Sequence, residues 1–250
     1  MKARAHPDMT NSLRAILVGL AGLVLTACAA TPPQPLDYTA YRAEDPRAIL
    51  VLPALNNTLN VNAPDYFLST LSPPVGERGY YVFPAFMVSR VLEENGLGDA
   101  GLVHEAETTR LGDLFNCDAA LYVTIQRWDS QYVLLATQTT VQLDYEMRSC
   151  RTGEKMWGNS EIMTYSPQSS SSGNLLADLV VQAVVAAIEK ADPNYMPLAR
   201  QANFLSVGRP GHGLPAGPYR SEAYRADFDQ FPSRGEFAAT ELGTDPAPVE

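Results

Sequence analysis

The residues able to do chemistry are few, and most stand at the wrong spacing. Gly96-Leu97-Gly98-Asp99-Ala100-Gly101 has the glycine spacing of a dinucleotide-binding turn. That chemistry needs the glycines directly after a strand and opening a helix, so that backbone N–H groups meet a pyrophosphate. Here they end a helical stretch and lead into a loop, so they read as a helix stop and a turn. His104-Glu105 begins a two-histidine zinc signature, but Thr108 stands where the second histidine is required. His104, Glu105 and Glu107 therefore read as a solvated loop. The run Ser169 to Ser172 lacks the Gly-x-Ser-x-Gly context of an activated nucleophile. A triad of Asp113 or Asp118 with His212 would require the C-terminal tail to be catalytic. No catalytic, metal-ligating or cofactor-binding residue is assigned, and no cofactor is expected.

Cys117 and Cys150 raise the question of a disulfide. If Ala119–Trp128 and Tyr132–Arg148 form a hairpin centred on Ser130, Cys117 lies opposite about Leu143. Cys150 then sits some seven residues further, roughly 23 Å away at about 3.3 Å per residue. A disulfide needs Cα atoms within about 7 Å. On that register two buried free thiols are expected, with intramolecular and intermolecular pairing left open.

The third cysteine stands in a different context. Lys2, Arg4 and Arg14 form a positive segment, and Ala15 to Leu25 is an apolar run. The run is too short for a membrane-spanning helix, which needs about 20 residues, and it suits a secretory leader. Leu25-Thr26-Ala27-Cys28 follows. This pattern resembles the lipobox of bacterial lipoproteins. The resemblance implies cleavage before Cys28, a diacylglycerol on its sulfur and acylation of the freed amine. Several acyl chains anchor durably where one would be marginal. Ala29 after the cysteine implies delivery to the outer membrane, on its periplasmic face.

Composition limits the rest. Across 250 residues, Asp+Glu number 28 against 18 Lys+Arg, for a net charge of -10. Phosphate binding on nucleic acid needs a basic face, so no nucleic-acid partner is expected. An acidic globule also repels anionic lipid, so the lipid rather than a basic patch must hold it at a membrane. Three cysteines exclude a disulfide-dense scaffold and a four-cysteine zinc site.

The elements between the termini predict one α/β (α+β) domain. Ala48 to Leu52 is continuously apolar and reads as a central strand buried on both faces. Tyr80 to Phe83, bounded by Gly79 and Pro84, reads as a second strand. Ala85 to Asn95 has helical spacing and stops at Gly96; Glu107 to Phe115 is another short helix. Ala119 to Trp128 and Tyr132 to Arg148 read as strands. In the second, Val141, Leu143, Tyr145 and Met147 alternate with polar residues, as in a strand with one wet face. Thr152-Gly153 turns into Met156 to Tyr165. The order is roughly β-α-β-α-α-β-β-β-α, a mixed sheet that ends in an antiparallel meander and is packed by helices in three layers. The expected organisation is a leader over 1–27, a lipidated tether over 28–45, the domain over 46–207 and a Pro/Gly-rich disordered tail over 208–250.

Leu175 to Lys190, capped by Asn174, reads as a helix that is apolar on nearly all sides. It is a core helix or one that also meets a partner or second copy. Leu176, Leu179, Val180, Val184 and Ile188 are its candidate contact residues.

AILVLPALNN, GYYVFPAFMVSRVLEENGL, DAALYVTI and RTGEKMWGNS before the serine-rich loop together resemble one family. It is an uncharacterised family of bacterial outer-membrane lipoproteins associated with a lipoprotein similar to the curli secretion pore, CsgG. Its domain resembles the N-terminal domain of TolB, and the resemblance covers about Tyr38 to Val207. It implies a non-enzymatic accessory or scaffold in an envelope assembly or secretion complex, with a CsgG-like lipoprotein or a second copy as partner. The alternatives are a self-assembling pore component or a periplasmic enzyme. A pore strand would alternate apolar-out and polar-in over about 10 residues; Val141 to Arg148 does so over only eight.

Overall fold

The computed structural model describes residues 35–133, 136–165 and 195–234. Strands are β1 (Ala48–Val51), β2 (Leu55–Asn56), β3 (Tyr81–Val82), β4 (Ala119–Val133), β5 (Ala136–Ser149) and β6 (Lys155–Tyr165). Helices are α1 (Thr39–Glu44), α2 (Ala63–Glu77), α3 (Ala85–Glu94), α4 (Ala100–Glu105), α5 (Thr108–Phe115) and α6 (Met196–Gly208). The strands form one sheet in the order β3-β1-β4-β5-β6, and β2 continues the β1 edge of β4 beyond Pro53. The β1–β3 and β1–β4 pairs are parallel; β4–β5–β6 is antiparallel. The α/β reading with its terminal meander is the observed fold.

Alternation sorts the side chains into two cores. Along β1 and the residue that follows it, Ile49 and Val51 join one core while Leu50 and Leu52 join the other. Such two-sided burial is why this strand reads as an unbroken apolar run. In β4, Ala119, Leu121, Val123 and Ile125 face the larger core, under α2 and α6. Ala120 and Tyr122 face the smaller core, beneath Val88 and Leu92 of α3, Val103 of α4 and Leu111 of α5. The six residues of α4 are a helix where the sequence reading has a loop; Asp99 caps it by accepting from the N–H groups of Gly101 and Leu102.

The β4–β5 hairpin is longer than expected. Its last pair is Val133 with Ala136, not a turn at Ser130, so Ala119 lies opposite Ser149. That shift brings Cys117 and Cys150 together as a disulfide with Cα atoms 5.9 Å apart. The expectation of free thiols is corrected: each residue added to one arm of a hairpin moves its partner by two along the chain. Helix α5 crosses the bridge closely, and a Cβ at Gly112 would strike the carbonyl of Cys150.

The domain boundaries also move. Residues 35–45, assigned to the tether, contain α1; Tyr38 at its N-terminal cap and Tyr41 within it are 0% and 2% exposed. Residues 209–234, assigned to the tail, form a strap of turns packed on the larger core, with Leu214 and Phe231 at 0% and 1% exposure. A chain without regular structure is buried only if its polar groups find partners. Here the core's aromatic donors supply them. Trp157 Nε1 donates to the His212 carbonyl at 2.8 Å, Tyr38 Oη to Gly213 at 2.7 Å and Tyr80 Oη to Pro215 at 2.7 Å. Asp227 then ties the strap down: it pairs with Arg42 at 2.9 Å and accepts from the Ala216 N–H.

Residues 1–34, 134–135, 166–194 and 235–250 lie outside the described residues, Cys28 and the expected helix over Leu175–Lys190 among them. Among the described residues no helix is long and apolar enough to cross a membrane.

Two measurements check this arrangement. Cys117→Ser should lower stability by about 2–4 kcal/mol, the usual worth of a bridge that closes a loop of this size. The denaturant midpoint should fall to the same place when the parent is reduced. Phe231→Ala, in the strap, should cost about 3–5 kcal/mol and lower Tm. A disordered tail would leave Tm unchanged.

Candidate functional site

Helices α3, α4 and α5 are short, and they cover only the start of β4 and the end of β5. Beyond them the same sheet face is open and polar. Thr124 of β4, Asp144, Glu146 and Arg148 of β5, and Lys155 and Ser160 of β6 line a cleft of about 550 Å³ there. Strand alternation places these side chains on the face opposite Val123, Leu143 and Tyr145, which are buried.

The charges in the cleft hold one another. Glu146 accepts from Arg148 at 2.6 Å and pairs with Lys155 at 3.0 Å. Burial pushes its pKa up, but the bonds from Lys155 and Arg148 outweigh this and hold it below the usual 4.5. Asp144 accepts from Ser160 Oγ at 2.7 Å and from Gln126 Nε2 at 2.8 Å. Arg148 also lies over the Tyr122 ring, 5.0 Å from its centroid. His104 closes one wall. Its Nε2 donates to the Pro53 carbonyl at 3.0 Å, its ring meets Tyr122 edge-on, and burial lowers its pKa, favouring the neutral form. The arrangement is a preorganised polar surface, with its carboxylates committed to cations and donors.

The network continues out of the cleft. Gln126 Oε1 accepts from Asn57 Nδ2 at 3.1 Å. Asn57 begins the loop between β2 and α2, which a ladder of side-chain bonds holds in shape. Asn56 Oδ1 accepts from the Thr58 N–H and hydroxyl at 3.1 and 2.8 Å. Asn60 Oδ1 accepts from the Asn62 N–H at 3.0 Å, and Asn56 Nδ2 donates to the Asn60 carbonyl at 2.9 Å. Short polar side chains that bond nearby backbone fix turns in this way. The ladder presents Leu59 and Val61 to solvent at 101% and 83% exposure. Gln126 thus links Asp144 of the cleft to the base of the apolar tip.

Sequence reading placed its site elsewhere. Cys28 and the contact residues Leu176, Leu179, Val180, Val184 and Ile188 lie outside the described residues. Gly96, with φ at 76°, ends α3, as the helix-stop reading expects. Asp118 is structural: its Oδ2 accepts from the N–H groups of Arg47 and Ala48. The tip belongs to a stretch, Asn56 to Asp65, whose Asn, Pro and Asp content reads as a loop. Its signal was present, since Leu59 and Val61 alternate with asparagines and have no apolar neighbours in sequence. The cleft had no local signal, because it exists only where α3–α5 stop short.

The Glu146 geometry fixes a pH dependence. Its native pKa is lowered, so its contribution is complete above the ordinary 4.5 and is lost as pH falls through the lower native value. Glu146→Gln should cost no more than about 1 kcal/mol at pH 7, given its partial exposure. In denaturant titrations the gap between parent and variant should shrink between pH 5 and pH 3. A gap that widens toward acid would contradict the assignment.

The chain has recognisable relatives in sequence. A family model described as "Putative lipoprotein GNA1162-like" matches residues 36–219. The protein named "Putative lipoprotein NMB1124/NMB1162" from Neisseria meningitidis serogroup B is 32% identical over 209 residues, 82% of this chain and 96% of that one. The crystal structure of lipoprotein GNA1162 from Neisseria meningitidis is 34% identical, with a TM-score of 0.49, over 58% of this chain and 100% of that chain. The LpoB C-terminal domain from Salmonella enterica is 15% identical, with a TM-score of 0.33, over 58% of this chain and 93% of that one. By the extent of the family match and of the Neisseria relative, this chain belongs to the GNA1162-like lipoprotein family.

Proposed function

We propose that this chain is an outer-membrane lipoprotein, anchored through acylated Cys28 on the periplasmic face, that serves as a non-enzymatic accessory or scaffold in an envelope assembly or secretion complex. Family membership supports the lipoprotein part. The Leu25-Thr26-Ala27-Cys28 pattern supports the anchor. The Cys117–Cys150 disulfide supports an oxidising compartment, since such bridges are rare in a reducing cytosol.

The observation that carries the accessory role is the tip. An apolar side chain held wholly in water by a dedicated hydrogen-bond ladder contributes nothing to the fold. It is already ordered for insertion into a partner, which removes part of the entropic cost of binding. The cleft beside it offers fixed charges of both signs, suited to a polar rim. The resemblance to lipoproteins associated with a curli-pore-like protein makes such a protein the first partner to test, with a second copy next. The Leu176–Ile188 helix remains a second candidate contact. A pore role is disfavoured because the hairpin's apolar face, including Val123, Ile125 and Leu143, is buried against the helices rather than offered to lipid.

Leu59→Asp and Val61→Asp should leave the unfolding free energy from denaturant titration within about 0.5 kcal/mol of the parent, as surface changes do. Crosslinking in intact cells should then lose a specific adduct that the parent forms. Unchanged adducts would remove the tip from the function. Cys28→Ser should abolish lipid mass and leave only membrane association that a salt wash removes. Retained lipid mass with association that resists the wash would overturn the anchor.

A further inference from the structure

At the opposite end of α2 from the tip lies a second groove, of about 520 Å³. Val207 forms its floor, and Phe204 and Tyr219 rise at its sides with 61% and 70% exposure. Arg78 and Arg220 supply its cations. Arg78 is largely buried: its side chain is 17% exposed, it leans on the Phe231 ring and lies 3.7 Å from Asp227, and its Nε has no hydrogen-bond partner. Arg220 is exposed, and Glu77 stands at the rim.

Two glycines keep this groove open. Gly76 is near the end of α2 and Gly208 ends α6, and neither has a left-handed φ. A Cβ added at either would meet nothing within 4 Å. Glycine is a poor helix former, and here neither backbone nor packing requires it. What the two positions share is the open space above them.

The groove lies close to where the chain leaves the domain toward Cys28. The Leu36 N–H donates to the Gly211 carbonyl at 2.8 Å, and three residues later the Leu214 N–H donates to the Val207 carbonyl at 2.8 Å. That path places the groove within about 20 Å of Pro35, at about 3.5 Å per residue. Cys28 precedes Pro35 by seven residues and can stand no more than about 25 Å away, whatever the conformation between them.

We infer that this groove docks on the leaflet that holds the anchor: a phospholipid phosphate sits between Arg78 and Arg220, with Phe204 and Tyr219 at headgroup depth. The inference rests on the anchor reading above, which brings lipid to this end of the domain. Exposed aromatics with an apolar body suit the interfacial zone. Guanidinium pairs suit phosphate. The chain is acidic as a whole, so the acyl anchor holds it at the membrane and the groove adds a weaker local contact that orients it.

The test uses residues 28–250 carrying Cys28→Ser, so that no acyl chain contributes, floated with vesicles of phosphatidylethanolamine and phosphatidylglycerol. The parent should bind, and Arg220→Gln should weaken binding about tenfold, the scale of one charge-assisted contact. Gly76→Leu should weaken it comparably by filling the groove, while Tm stays equal or rises because leucine favours the helix. Phe204→Ala with Tyr219→Ala should also weaken it. Vesicle binding unaffected by Gly76→Leu and Arg220→Gln would overturn the inference, as would saturable binding of inorganic phosphate with no binding of vesicles. Lipid mass on Cys28 of the cellular protein is measured separately. An unacylated Cys28 sinks the anchor reading, and vesicle binding that ignores the groove variants sinks this one.

Discussion

The central strand β4 constrains everything else. It pairs in parallel with β1 and β2 on one edge and antiparallel with β5 on the other, so both halves of the sheet take their register from it. It is 15 residues long, whereas α3, α4 and α5 have ten, six and eight. At about 3.3 Å per residue in a strand and 1.5 Å in a helix, three short helices cannot roof the hairpin. The mismatch divides one sheet face into a packed half and a wet half. Tyr122, beneath the helices, belongs to the core, and Thr124, one pleat further on, already lines the cleft. The same excess length carries Gln126 out to Asn57, where the tip begins.

On the other face the helices are held by polar contacts as much as by apolar ones. Tyr145 Oη donates to Asn203 Oδ1 at 2.6 Å, and Asn203 Nδ2 donates to Thr70 Oγ1 at 2.8 Å, linking β5, α6 and α2. Asn203 and Thr70 are 0% and 3% exposed. Asn159 Nδ2 reaches Ser206 Oγ at 3.1 Å, and Arg209 pairs with Glu161 at 2.9 Å. A buried amide is expensive unless satisfied, so a slip of α6 by one residue would break several bonds at once. Apolar packing alone would tolerate such a slip better. The network fixes the register of α6 and hence the position of Phe204 and Gly208.

The sheet was legible in the sequence because its signals are local. AILVL in β1, the alternation through Val141 and Met147, and Pro84 with Gly96 around α3 each reflect a nearest-neighbour constraint. The hairpin turn misled because Asp129-Ser130-Gln131 has turn composition but lies within β4, while Val133 and Ala136 flank two leucines that carry no turn signal. Four residues of error there hid the disulfide. The strap was illegible for a different reason. Its Gly and Pro content is that of a tail, and its burial depends on Trp157, Tyr38 and Tyr80, which stand 55, 175 and 135 residues from the carbonyls they satisfy. No local pattern records bonds of that span. Of the candidate site, only Leu59 and Val61 among asparagines left a trace.

Helix α2 has a consequence that concerns length rather than contact. Its 15 residues make a rod of about 22 Å at 1.5 Å per residue, braced along its side by α6. The asparagine ladder precedes its first turn and the glycine-lined groove adjoins its last. With the groove end seated as proposed above, such a rod holds its other end at a fixed height. On the docking proposed above, helix α2 is a ruler between two surfaces, and one added turn would raise the tip by about 5.4 Å without changing a single side chain at either end.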